Sequence, residues 1–100
     1  MNALRAATEA LPVLRDAKVE HIWAGLIDVT PDAVPVISTL DSLPGLVIAT
    51  GFSGHGFGIG PGAGHLTADL VMGTTPIVDP APFRFSRFSD GTPIEIAPPV

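Results

Sequence analysis

The sequence has no cysteine, and cations are nearly as scarce: Lys18 is the one lysine, and Arg5, Arg15, Arg84 and Arg87 are the arginines. Without thiols there is no disulfide and no thiolate metal site, although this leaves the compartment open. Five cations against ten acids give a net charge of −5, and the cations form no basic stripe. Neutralising a phosphate backbone needs such a stripe, so nucleic acid and anionic membrane surfaces are not expected partners. No apolar run approaches the roughly 18 residues of a membrane span. The opening "MNALRAATEALPVLRD" lacks the apolar core of a secretory signal. The expectation is a cytoplasmic chain with no membrane span.

What is abundant is apolar. Hydrophobic residues make up 46% of the chain and charged residues 15%, with a mean hydropathy of +0.45. One hundred residues make one small domain, which buries only roughly 60–70% of its unfolded surface. So apolar a composition on so small a body implies that other polypeptide covers part of it. Either the chain oligomerises or it is a piece of a larger protein.

Residues 2–11 carry a helical stripe of Leu4, Ala7, Leu11 and Leu14, with Asn2 suited to the N-cap. Pro12 disfavours helix at Leu11, which places the helix end near Ala10 and leaves a short turn through "PVLRD". "VEHIWAGLIDV" at 19–29 reads as a strand, "TPDAVP" as a turn with Pro31 and Asp32 in type I positions, and "VPVIS" as a return strand. Residues 19–38 are thus expected to form an antiparallel hairpin. "LVIAT" at 46–50 reads as a strand buried on both faces. A helix is expected over 61–72, with Pro61 in its first turn and Gly73 ending it. The tail from Thr74 holds six of the eleven prolines and should be irregular, with Phe83, Phe85 and Phe88 lying across a surface.

Between the last strand and the last helix stands "GFSGHGFGIGPGAGH", in which seven of fifteen residues are glycine. Glycine in such quantity costs backbone entropy, so its use implies that the backbone itself meets something. Phe52, His55, Phe57 and Ile59 interleave the glycines, whereas a linker would favour serine and charge. A loose dinucleotide fingerprint, Gly58, Gly60 and Ala63 with Asp79 downstream, begins eight residues beyond the end of the strand. The true fingerprint begins where the strand ends, so this match is set aside. His21 and His65 have no ligand spacing, no metal site is expected, and Asp32 is read as a turn residue rather than a base.

"WAGLIDVTPDAVPVI" at 23–37, "GLVIATGFSGHGFGIGPGAG" at 45–64 and "FRFSRF" at 83–88 resemble the C-terminal end of the FAD-dependent D-amino-acid oxidase family. The likeness covers about residues 2–90, and the W-x-G…T-P-D and G-F-S-G-H-G-F elements in this order are specific. The resemblance implies an α+β fragment. Residues 1–44 would be the end of a substrate-domain antiparallel sheet, and 45–73 the last strand, glycine loop and helix of a Rossmann-like FAD domain. Residues 74–100 would be an extended proline-rich tail.

The resemblance further implies that the glycine segment runs beside the isoalloxazine ring of FAD, with backbone amides on its pyrimidine edge. Gly54, His55, Gly56, Phe57 and Gly58 are then the flavin contacts. His55 is also a candidate for the substrate pocket, a loop histidine bonded to backbone being the alternative. No residue of this chain is expected to carry out bond chemistry itself. The implied reaction is hydride transfer from the carbon beside the nitrogen of a small amino acid or secondary amine. Sarcosine oxidases of the family carry a lysine after G-H-G-F that helps hold the substrate carboxylate, and here Gly58 stands there. The implied upstream half of the FAD site, a G-x-G-x-x-G loop with an acidic ribose ligand, is not in this sequence. The expectation is a C-terminal fragment completed by a missing N-terminal part. The competing readings are a non-catalytic piece that completes a partner chain in a hetero-oligomer, and a glycine-rich nucleotide binder.

Overall fold

The computed structural model describes residues 2–98. Helix α1 (Asn2–Ala10) ends where Pro12 demands it, and a 3₁₀ turn follows over Pro12–Asp16. The last helical bond runs from the Leu11 amide to the Ala7 carbonyl at 2.8 Å; proline then has no N–H to continue the ladder. The side chain of Asn2, expected as the cap, lies outside the described residues. Leu4 and Leu11 of the apolar stripe stay exposed.

The expected hairpin over residues 19–38 does not form. Residues 17–28 are irregular and exposed, Trp23 and Leu26 almost completely so. Only Val29 makes an isolated bridge, and its partner is Phe52. The T-P-D turn itself is present, closed by the Ala33 amide on the Thr30 carbonyl at 3.0 Å. The partners explain the difference. The Asp28 carbonyl accepts from the Ser53 amide at 3.1 Å, and the Thr30 amide donates to Ser53 Oγ at 3.2 Å. The bonds that a hairpin would use are therefore spent on residues 51–53.

The sheet instead pairs β1 (Val36–Thr39) with β2 (Val47–Thr50), antiparallel, in the register Val36 with Thr50 through Thr39 with Val47. Expected to be buried on both faces, β2 is not: Val47 and Ile48 are half-buried, and Ala49 and Thr50 are exposed. Among the described residues its outer edge has no neighbour in the two-stranded sheet. A continuous apolar strand in that position is an uncovered surface.

Helix α2 (Gly56–Met72) starts five residues before the expected Pro61, which falls inside it. Glycine and proline argue against helix on propensity alone, but packing against β1 and β2 overrides that preference. The C-terminus follows expectation, with Gly73 at φ 68° and its amide on the Asp69 carbonyl. The Asp69 carboxylate then accepts from Thr74 Oγ1 at 3.0 Å and from the Ile77 amide at 2.9 Å, turning the tail back. The tail carries two 3₁₀ turns, Ala81–Phe83 and Phe85–Phe88.

Among the described residues the buried hydrophobic side chains are Val36, Ile37 and Leu66, packed where β1 meets α2. Accessible surface is 7824 Å², against about 5,400 Å² for a compact monomer of this mass. The radius of gyration is 18.3 Å, where a compact domain of this length has about 13 Å. No described helix is long and apolar enough to cross a membrane.

Candidate functional site

Two loops cross beside the N-terminus of α2, and each comes from one of the sequence motifs. Residues 28–34 carry the T-P-D turn; residues 51–55 carry the start of the glycine run. Ser53 joins them. It is 2% exposed and holds φ 53°, a left-handed conformation that an L-residue keeps only when neighbours enforce it. Its amide donates to the Asp28 carbonyl at 3.1 Å, its hydroxyl to the Gly51 carbonyl at 3.1 Å, and the hydroxyl oxygen accepts the Thr30 amide. Thr30 Oγ1 donates to the Val34 carbonyl at 2.9 Å and lies 3.3 Å from Ser53 Oγ. Each hydroxyl has a single proton, so with both carbonyl bonds made the 3.3 Å contact cannot also be a full hydrogen bond.

The turn is anchored from behind. Arg87, 3% exposed, donates to Asp32 twice, Nε to Oδ2 at 2.9 Å and Nη2 to Oδ1 at 3.1 Å. Its Nη2 also donates to the Val34 carbonyl at 2.7 Å and its Nη1 to the Arg84 carbonyl at 3.0 Å, while the guanidinium sits 4.1 Å from the Phe88 ring centre. Asp32 accepts the Val34 amide at 3.1 Å as well. Hydrogen bonding from Arg87 holds the Asp32 carboxyl below the usual range; partial burial opposes it, and the Val34 amide assists. Asp32 is thus a turn residue, as expected, with a buried ion pair added.

At this crossing lies a cavity of about 590 Å³, lined by residues of the 25–33 stretch, Leu26, Ile27, Val29 and Thr30 among them, by Ser53 and Gly54, and by Ala97 and Pro98 of the tail. That volume is within the roughly 300–1,000 Å³ of ligand pockets. The amides of Gly54, which lines the cavity, and of Gly56 and Phe57, which follow in the chain, have no acceptor among the described residues. The next two amides, Gly58 and Ile59, both donate to the His55 carbonyl at 3.2 Å. Helix N-termini leave such donors free and carry partial positive charge, so the edge suits an acceptor group that bears negative charge.

The five residues singled out in sequence do not share one surface. Gly54 lines the cavity. His55 occupies the N-cap position, exposed, with no side-chain capping bond. Gly56 lies against Phe52, whose Cβ would be 3.4 Å from a Cβ placed there. Phe57 is fully exposed. Gly58 borders a separate apolar groove of about 390 Å³ with Pro35, Ile37 and Leu66. A Cβ at Gly58, Gly60, Gly62 or Gly64 would meet nothing within 4 Å. His21 stands beside Glu20 at 4.0 Å and His65 beside Asp69 at 3.8 Å. Among the described residues no three metal-ligating side chains come together.

Sequence reasoning missed Thr30, Ser53 and Arg87. Arg87 carried a signal, being one of two cations in the aromatic stretch "FRFSRF", while the three phenylalanines drew the attention. Of those, Phe83 is half-buried and Phe85 and Phe88 are exposed; the buried side chain is the arginine.

Comparison with known proteins places this geometry. Residues 1–70 match the FAD dependent oxidoreductase family, DAO. Glycine oxidase of Pseudomonas aeruginosa is 40% identical over 83 residues, which are 82% of this chain and 23% of that protein. N-methyl-L-tryptophan oxidase of Salmonella newport is 41% identical over 86 residues, 81% of this chain and 23% of the relative. Among solved structures, L-amino acid deaminase from Proteus vulgaris superposes with a TM-score of 0.72 at 39% identity, over 87% of this chain and 20% of that one. The enzyme from Proteus myxofaciens, in complex with anthranilate, gives 0.74 at 34% identity over 89% and 20%. The chain therefore spans about a quarter of the length of the curated relatives it matches. It belongs to the FAD-dependent oxidoreductase family of the D-amino-acid oxidase type.

Proposed function

We propose that this chain is the C-terminal part of a flavin-dependent oxidase or dehydrogenase of amino acids or secondary amines. Residues 1–44 would end its substrate domain and 45–73 its FAD domain. The observation that carries this reading is the cavity where the two motif loops meet, lined by Gly54, with the amides of Gly54, Gly56 and Phe57 around the start of α2 left without acceptors. Family membership and relatives acting on glycine and N-methyl-L-tryptophan support it.

The residues fit the ring end of FAD. Amides at Gly54, Gly56 and Phe57 would face its pyrimidine edge, and Leu26, Ile27 and Val29 would form an apolar wall that excludes water. When bound, FAD supplies the two-electron acceptor for a hydride leaving the carbon next to nitrogen. Fixed amides stabilise the negative charge gained in that transfer, and they do so without reorganising. Among the described residues that line the cavity none can take a proton as a base, so their part is to bind and polarise. Nor does the lining include a cation for a substrate carboxylate: Arg87 is committed to Asp32, and Gly58 faces the other groove. That partner would come from the remainder of the enzyme.

The large exposed surface favours completion by more polypeptide, in the same chain or in a separate subunit. The test is to purify the complete protein bearing these residues and titrate it anaerobically with amino acids and N-methyl amino acids. Bleaching of a bound flavin is expected. A complete protein that carries no flavin, and takes up none, overturns the reading.

A further inference from the structure

We propose that Arg87 is a positioning residue for the amides of Gly54, Gly56 and Phe57, acting through the Val34 carbonyl and the Thr30–Ser53 pair. The inference rests on the flavin reading above. The Val34 carbonyl accepts from two directions, Arg87 Nη2 at 2.7 Å and Thr30 Oγ1 at 2.9 Å. Thr30 then passes to Ser53, its amide on Ser53 Oγ at 3.2 Å. Ser53 immediately precedes Gly54, and both hold positive φ, 53° and 83°. From the guanidinium to Ser53 the path thus runs by hydrogen bonds through the part-buried Val34 and Thr30, and the backbone carries it from Ser53 to the exposed Gly54.

Its effect is geometric. Arg87 is paired bidentately with Asp32, so the pair projects little net field on the cavity. What it does is hold the 30–34 turn in place. The turn in turn keeps Ser53 left-handed, a conformation that relaxes when its supports go. Relaxation at Ser53 rotates the peptide planes that follow, and those planes carry the Gly54 and Gly56 N–H groups. A lysine at position 87 keeps the charge but cannot make the fork that reaches Asp32 and Val34 together.

The test uses the complete flavoprotein with Arg87→Lys and, separately, Thr30→Val, which removes one hydroxyl at nearly constant shape. Readouts are the midpoint potential of bound FAD and the thermal midpoint. Either variant should lower the preference for reduced over oxidised FAD by about tenfold, which is about 30 mV for a two-electron couple. The double variant should lose less than the sum of the two, and Thr30→Ser should recover most of the potential. A merely structural role would lower the melting temperature and leave the potential where it was, and that result overturns the proposal. Should Arg87→Lys fail to fold, Thr30→Val decides alone. Gly54→Ala separates the two levels of inference. If it shifts the potential while Arg87→Lys and Thr30→Val do not, the positioning role falls and the flavin reading stands. If Gly54→Ala is silent too, or the protein binds no FAD, both fall.

Discussion

Replacing Gly62 and Gly64 together by alanine should act in opposite directions on this chain and on the complete enzyme. In the structure both positions lie inside α2, and a Cβ at either would meet nothing within 4 Å. Alanine is favoured over glycine in a helix interior by about 0.8–1.0 kcal/mol. The double variant of the 100-residue chain should therefore gain about 2 kcal/mol of helix stability, roughly 30-fold in the equilibrium constant. Far-UV circular dichroism through a urea titration reads this directly as higher helicity and a later midpoint. In the complete protein the sign reverses if further polypeptide packs against α2 at these two positions. Two added methyls then overfill a closed contact, at about 1–3 kcal/mol each, and flavin occupancy should fall with stability. Equal stabilisation in both settings would refute the argument that the glycines admit a close neighbour. Destabilisation of the isolated chain would refute the geometry itself.

Gly51→Ala should destabilise by about 2 kcal/mol or more, because φ is 68° and the new methyl collides with Thr30 Cγ2; urea midpoints measure it. Asp32→Asn should cost about 3–5 kcal/mol by leaving the buried Arg87 guanidinium without its carboxylate. Because the folded Asp32 carboxyl titrates below its unfolded value of about 3.9, its contribution is present above that pH and lost as pH falls through the lower folded value. Stability measured from pH 6 to 2 should show that acid-side slope in the parent and a flatter one in Asp32→Asn. Asp90 is held at about 2, first by the Thr92 hydroxyl, then by the Thr92 amide and Arg84; Thr92→Ala should raise it, as followed by the carboxyl carbon shift in an NMR titration. Removing FAD from the complete protein should accelerate amide exchange across Gly58–Gly64 far more than in β1, and uniform exchange would count against coupling between flavin and helix.

Elements set by local chemistry were legible in the sequence. Pro12 ends α1, Gly73 takes the left-handed position after α2, and Pro31 and Asp32 close the turn at 30–33. Pairing was not legible, because it is decided at a distance. Residues 19–29 have strand composition, yet a strand needs a partner, and the bonds of Asp28 and Thr30 go to Ser53, more than twenty residues on. The start of α2 was missed for a related reason: propensity penalises each glycine, and only the tertiary contact with β1 and β2 offsets that. At the site, the family resemblance pointed to one group of five, whereas in the structure Gly54 lines the cavity, Gly56 lies against Phe52 and Gly58 borders a separate groove. Ser53 gave no warning at all. A serine among glycines looks like solubility until its φ and three hydrogen bonds are seen.

These misses have a common energetic root in α2. Its five glycines cost about 4–5 kcal/mol relative to alanine, and Pro61 inside the helix about 3 more. Against this stand three fully buried apolar side chains, Val36, Ile37 and Leu66, worth roughly 1.5–3 kcal/mol each. The two sums are of the same order, so the glycines and proline leave α2 less margin than an alanine-rich helix on the same contacts would have. Further polypeptide or flavin packed against α2 then adds to that margin. Because a ligand stabilises a state only by binding it preferentially, the converse also holds: a helix poorly stabilised by its own core is one whose order reports on occupancy. The free amides of Gly54, Gly56 and Phe57 are best directed when the helix behind them is formed. A sequence that spends glycine at alternate positions there ties helix order, amide direction and cofactor contact into one equilibrium.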